Sequence, residues 1–183
     1  MPFSSSEKSC PKRVRAGVTE RIDYQGDGLG LVDDKGRVAI PSSLRAVLAA
    51  NSPRADGKDG GTVIIGVHES SPCLIAYDPG FLPILKAQLD EREANFRGDQ
   101  GARNPNFKRQ AAVGEAVPFD GSGRFIMPGF PRFHAGIGAN AFFYGTFDYI
   151  EIWDPKTLML ADNVPEVQKS CARYHCTLKG IEL

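Results

Sequence analysis

The chain has no surplus of either charge: 22 Lys and Arg balance 22 Asp and Glu, for a formal net charge of zero. Composition therefore gives no pointer to nucleic acid, and any basic surface has to be gathered locally. Nor is there a long apolar run. No window approaches the roughly 18 apolar residues of a membrane span, so no membrane partner is expected. Residues 1–17 carry Ser and basic side chains but no apolar core, and no secretory signal is expected there. Cysteine is sparse. Cys10, Cys73, Cys171 and Cys176 are scattered without a disulfide-like or zinc-like framework, which suits a reducing cytoplasm. No Gly-rich phosphate loop follows a strand, no Ser-His-Asp order is evident, and no carboxylate pair stands in an apolar setting. The expectation is a protein that is not an enzyme and carries no cofactor.

What is present fits a globular protein. Hydrophobic residues make up 42% and charged residues 24% of 183 positions, enough for one ordinary domain or two small intertwined ones. The most informative feature is a duplication. Asp33-Asp34-Lys35-Gly36-Arg37-Val38-Ala39-Ile40-Pro41 is answered by Asp120-Gly121-Ser122-Gly123-Arg124-Phe125-Ile126-Met127-Pro128, at an offset of 87 residues (33 to 120). Tyr77-Asp78-Pro79 is answered by Trp153-Asp154-Pro155 at an offset of 76 (78 to 154). The shortfall matches an insertion in the first copy, and the loop at 51–61 supplies one. Such a chain is a pseudo-dimer built from two copies of one supersecondary unit.

The unit has a readable local structure. Each Asp opens a type I turn whose fourth residue, Gly36 or Gly123, takes the positive φ. Strand-like residues 28–32 and 37–40 flank the first turn, and 115–119 and 124–127 flank the second. Both read as β-hairpins with a Gly bulge. Pro41 and Pro128 end the strands and open short helices over 42–50, with Leu44, Val47 and Leu48 on one face, and 130–135, with Gly136 as C-cap. Strands at 62–65 and 73–77 then pair in the first copy, as do 140–144 and 149–153 in the second. Asp78-Pro79 and Asp154-Pro155 read as an N-cap followed by an N1 proline, each starting a helix. After Asp78 the apolar stripe is Leu82, Leu85, Leu89 and Phe96. A short helix leads from Asp154 to Asn163, and a later helix from Pro165 is expected to bury Val167, Cys171, Tyr174 and Leu178.

The paired Asp-x-x-x-Arg motifs, Asp33/Arg37 and Asp120/Arg124, together with the closing Glu151-Ile152-Trp153-Asp154-Pro155, resemble the bacterial MraZ family over roughly residues 24–179. That resemblance implies a β-rich α+β fold: a tandem swapped-hairpin, AbrB-like double-split β-barrel with flanking helices. One chain would supply both halves, residues 24–98 and 99–183, after an N-terminal tail over 1–23. It also implies homo-oligomeric rings that bind short direct repeats in double-stranded DNA upstream of the cell-division and cell-wall gene cluster. The implied role is a transcriptional regulator, cytoplasmic and nucleoid-associated. Two features depart from the family pattern. A long tail precedes Tyr24, and Ser122 stands where the first turn has Lys35, leaving the second motif less basic.

Each singled-out residue has two readings. Arg37 and Arg124 either fold back on Asp33 and Asp120 or project toward phosphates and guanine edges, for which a guanidinium fork is suited. The resemblance favours DNA contact, with Lys35 beside Arg37 as a phosphate contact. Asp33, Gly36, Asp120 and Gly123 shape the turns, since a carboxylate facing DNA is repelled. Residues 1–21 hold five basic against two acidic side chains and read equally as a solvated tail or a DNA-touching arm. Cys171, His175 and Cys176 invite a metal reading, but a four-ligand site would have to recruit His68, His134 or Cys73 from far along the chain. The aromatic run at Phe142, Phe143, Tyr144, Phe147, Tyr149 and Trp153 reads as core or subunit interface rather than a stacking platform. The competing function is an oligomeric protein-binding module, antitoxin-like or scaffold, on the same fold.

Overall fold

A computed structural model of the protein describes residues 21–52, 60–96 and 106–183. Most of the basic tail, Cys10 and most of the loop at 51–61 lie outside the described residues. The elements run β1 (Asp27–Leu31), β2 (Arg37–Ala39), α1 (Ser42–Asn51), β3 (Gly61–Val67), β4 (Leu74–Tyr77), a 3-10 turn (Pro79–Phe81) and α2 (Leu82–Asn95). Then come α3 (Asn106–Ala111), β5 (Glu115–Phe119), β6 (Arg124–Ile126), α4 (Gly129–His134), β7 (Asn140–Gly145), β8 (Ile150–Trp153), α5 (Pro155–Leu160) and α6 (Glu166–Leu178). The fold is mixed α+β with antiparallel strands.

Both Asp-Gly turns close as expected. Gly36 N donates to Asp33 O at 2.9 Å and Gly123 N to Asp120 O at 2.8 Å, with φ of 77° and 81° at the two glycines. The flanking strands, however, do not go on to form local hairpin ladders. β1 pairs with β7 and β5 with β3, while β2 pairs with β6 across the two copies. The physical reason is burial. Val38 and Phe125 are register partners in the β2–β6 ribbon, and both are buried beneath it. A local hairpin would leave them without each other.

The main sheet has the order β1-β7-β8-β4-β3-β5, which reads the same when the two copies are exchanged. Its hydrogen bonding is open, with β1 and β5 as edges, so the ladder does not close into the barrel expected from the sequence. One face of the sheet packs under the ribbon and α1, through Ile65, Leu74, Phe143, Ile150 and Ile152 against Val38, Leu44, Leu48, Phe125 and Met127. The other face carries Phe142 and Trp153 against α5 and α6. Phe142, Phe143 and Trp153 are therefore core, as period-two alternation requires.

Three helix expectations need correction. α6 turns Gln168, Ala172 and Cys176 inward, whereas Val167, Tyr174 and Leu178 point out at 62–65% exposure. Ala172 and Cys176 pack against Phe142, Trp153 and Leu158, and Gln168 turns inward because its Nε2 donates to Glu151 Oε2 at 2.7 Å. In α2 only Leu89 is buried; Leu82 and Phe96 are exposed and Leu85 is partly covered. Asp154 caps α5 through Lys156 N and Thr157 N, but Asp78 caps nothing with its side chain. Arg21 and the Tyr24 hydroxyl have taken that carboxylate instead: Arg21 Nη2 and Nε donate to Asp78 Oδ2 at 2.7 and 3.0 Å, and Tyr24 OH at 2.9 Å. Burial, then the Asp78 charge, holds the Tyr24 phenol far above its usual range.

Candidate nucleic-acid interface

The β2–β6 ribbon sets the geometry of the site. Arg37 pairs with Ile126, Val38 with Phe125 and Ala39 with Arg124. Because side chains alternate, Arg37, Ala39, Arg124 and Ile126 share the solvent face while Val38 and Phe125 are buried. Arg37 and Arg124 are diagonal neighbours on that face, a relation that places backbone positions roughly 7–8 Å apart. One arginine comes from each copy, and pairing across the copies brings them together.

The two turns treat their arginines differently. Asp33 Oδ1 accepts from Lys35 N and Arg37 N, both at 2.9 Å, and Asp33 Oδ2 accepts from Arg37 Nε at 2.6 Å. The Arg37 backbone and side-chain bonds hold the Asp33 carboxyl below its ordinary range. In the second turn Asp120 Oδ1 accepts from Ser122 N at 2.9 Å, Ser122 Oγ at 2.6 Å and Arg124 N at 2.9 Å. The Ser122 hydroxyl, then the Arg124 amide, lowers the Asp120 carboxyl. So Arg37 does fold back on its aspartate. The Arg124 guanidinium and the Lys35 ammonium make no hydrogen bond or ion pair among the described residues.

Two further arginines stand beside the turns, and they are repeat-related. Arg45 and Arg132 stand at the same 87-residue offset, each four positions beyond its proline. Arg45 Nη1 donates to Ser122 O at 2.5 Å, so the helix of the first copy braces the turn of the second. Arg132 donates instead to Ile137 O at 3.0 Å and Gly138 O at 3.1 Å, and its guanidinium lies against Gly36. The crossing is locked by backbone: Ile40 N donates to Gly123 O and Met127 N to Gly36 O, both at 2.9 Å. A side chain on Gly123 would meet the Arg45 stem at 2.7 Å. The signal for Arg45 and Arg132 was available in the sequence, since the repeat extends past Pro41 and Pro128.

Cys171, His175 and Cys176 are not brought together as ligands. His175 Nε2 meets Asp27 Oδ1 and Cys176 lies in the core. Among the described residues no group of three or more His, Cys, Asp or Glu is placed to hold a metal ion. No helix of the described chain is long and apolar enough to cross a membrane.

No family model matches the chain. Curated relatives do. It is 31% identical over 130 residues to the transcriptional regulator MraZ of Rhodospirillum rubrum, covering 69% of this chain and 76% of the relative. The Pseudomonas putida F1 protein of the same name is 30% identical over 134 residues, 72% of this chain and 80% of that one. The one from Yersinia pestis Pestoides F is 25% identical over 164 residues, 87% of this chain and 99% of that one. With both Asp-x-x-x-Arg turns in place and aligned relatives spanning most of the chain, the protein belongs to the MraZ family.

Proposed function

We propose that the chain is a sequence-specific, double-stranded-DNA-binding transcriptional regulator that acts on short direct repeats upstream of the cell-division and cell-wall gene cluster. The observation that carries this reading is the placement of Arg37 and Arg124 as diagonal neighbours on the exposed face of the ribbon. A two-stranded ribbon is narrow enough for the major groove, and an arginine fork matches the acceptor pair on guanine. Lys35, at the tip of the first turn, is assigned to a phosphate, while Asp33, Gly36, Asp120 and Gly123 shape the turns. The relatives' shared name, transcriptional regulator, supports the assignment.

The two copies, 24–98 and 99–183, act in this reading as one intertwined swapped-hairpin unit, supported by the β2–β6 and β4–β8 pairings. Because the pseudo-two-fold is satisfied inside one chain, contacts between chains use other surfaces and build a ring. The outward face of α6, with Val167, Tyr174 and Leu178 exposed, is consistent with such contacts.

Salt dependence tests the reading. With a net charge of zero, affinity for DNA has to come from basic side chains gathered on one face, and Lys35, Arg37 and Arg124 are the candidates at the turns. The log of affinity is expected to fall with log salt at a slope of about −0.9 per phosphate neutralised, and steeply overall because several copies act together. Fluorescence anisotropy on the duplex upstream of its own operon, from low to moderate salt, measures it. A flat response would favour the protein-binding module instead.

A further inference from the structure

A groove runs along each side of the ribbon, and the internal duplication relates the two. The first lies between the ribbon and β1, the second between the ribbon and β5, with volumes of about 840 and 730 Å³. Both are bordered by Arg37 and Arg124. Size does not distinguish them; charge does.

The first groove is closed at one end by α6 and the residue that follows it, which add His175 and Lys179 to its wall. Lys179 Nζ donates to Leu29 O at 3.0 Å, a neutral carbonyl that leaves the ammonium charge uncompensated. Three cations, Arg37, Arg124 and Lys179, therefore face one carboxylate, that of Asp33, and the Asp33 carboxylate is already bonded to Arg37. His175 lines the same wall with its Nε2 against Asp27 Oδ1, whose carboxylate is not itself part of the lining. The second groove has no counterpart of Lys179. It has Glu115, at the repeat position of Gly28, and Asp120, so two carboxylates stand against the same two arginines. The C-terminal end of α6 opposes an anion with about half a charge, which a whole lysine charge at the same end outweighs.

We propose that one phosphodiester strand of bound DNA follows the groove between β1 and the ribbon, with Lys179 as a phosphate contact, and that the β5 side stays free of backbone. The inference rests on the DNA-binding reading and adds a direction to it: the pseudo-symmetric ribbon is used asymmetrically, because only one of its flanks is basic. A strand placed on the β5 side would bring phosphates against Glu115 and Asp120, a repulsion the β1 side lacks.

The test compares Lys179→Gln, Lys179→Arg, Glu115→Gln and the double variant Arg37→Ala/Arg124→Ala in the full-length chain. The probe is the duplex upstream of its own operon, titrated by anisotropy at several salt concentrations, with circular dichroism as the folding check. Lys179→Gln is expected to shrink the salt slope by about 0.9 for each copy engaged, while Lys179→Arg keeps it. Glu115→Gln is expected to leave the slope unchanged and affinity within about twofold. If Lys179→Gln matches the parent while the double arginine variant loses binding, the groove assignment is wrong and the DNA-binding reading stands. Tighter binding by Glu115→Gln with a silent Lys179→Gln would place the strand on the β5 side and also overturn it. A double arginine variant that binds like the parent would remove the DNA-binding reading itself.

Discussion

Replacing Arg37 and Arg124 together with alanine is expected to abolish sequence-specific DNA binding while leaving the fold intact. Each well-oriented arginine–guanine contact is worth roughly 1–3 kcal/mol of discrimination, so two per chain set the loss at about thirtyfold or more before copies multiply it. The fold should tolerate the change because both side chains lie on the exposed face of the ribbon, and Val38 and Phe125 carry its packing. The single variants are expected to be closer in effect than turn chemistry alone implies. The first turn has Lys35 beside Arg37, which favours it. Yet Arg37 must leave Asp33 to reach a base, whereas the Ser122 hydroxyl occupies the Asp120 oxygen that also caps the turn, and Arg124 is unencumbered. The Arg37 pair is solvent-exposed, so breaking it costs little and both arginines can read DNA. Titration of the double variant against cognate and scrambled duplexes, with size-exclusion elution as control, decides. Cognate affinity equal to the parent's would mean the arginines only shape their turns.

The largest stability effect is expected at Asp78. Its side chain is fully buried and its Oδ2 collects Arg21 and the Tyr24 hydroxyl, while the Arg21 guanidinium stacks over Phe81 at 4.6 Å. Asp78→Ala removes the anion and strands a guanidinium that is only 17% exposed. Breaking a buried pair costs roughly 3–5 kcal/mol; the partial opening of Arg21 puts this one near the lower end. For a chain of this size that is a fall in Tm of about 6–12 °C. Asp78→Asn, which still offers an acceptor to Tyr24, should lose less. A thermal melt of Asp78→Ala within about 2 °C of the parent would show that the cluster is not an anchor.

Much of this was legible in the residues, and the parts that were not share a cause. The strands, the Gly36 and Gly123 turns, the helix after Pro41 and the Asp154 cap depend on neighbours a few positions away, and local chemistry placed them. Which strand pairs with which does not. Asp33 to Arg37 closes a turn whether β2 then continues beside β1 or crosses to β6, and only the joint burial of Val38 and Phe125 decides. The outward stripe of α6 misled for a related reason. Val167, Tyr174 and Leu178 are the apolar residues at helical spacing, but Phe142 and Trp153 take Ala172 and Cys176 beneath the helix, and Glu151 draws Gln168 to the same side. Asp78 and Asp154 share one sequence context, and a competing partner, Arg21, lies 57 residues upstream. At the site, the motif spacing named Arg37 and Arg124 as candidates, while Arg45 and Lys179 reach across to Ser122 and Leu29, elements that only the fold brings near.

If the ribbon joining the two copies reads DNA sequence, the parent protein must discriminate between duplexes that differ in sequence alone. Sequence reading is measured most directly by a competition titration of the parent protein, at one fixed salt concentration near physiological, between the duplex upstream of its own operon and a scrambled duplex of equal length and composition. Preference for the upstream duplex by about a thousandfold or more is expected, as specific sites usually show over non-specific ones. Equal affinity for the two duplexes, or no binding to either, would contradict it.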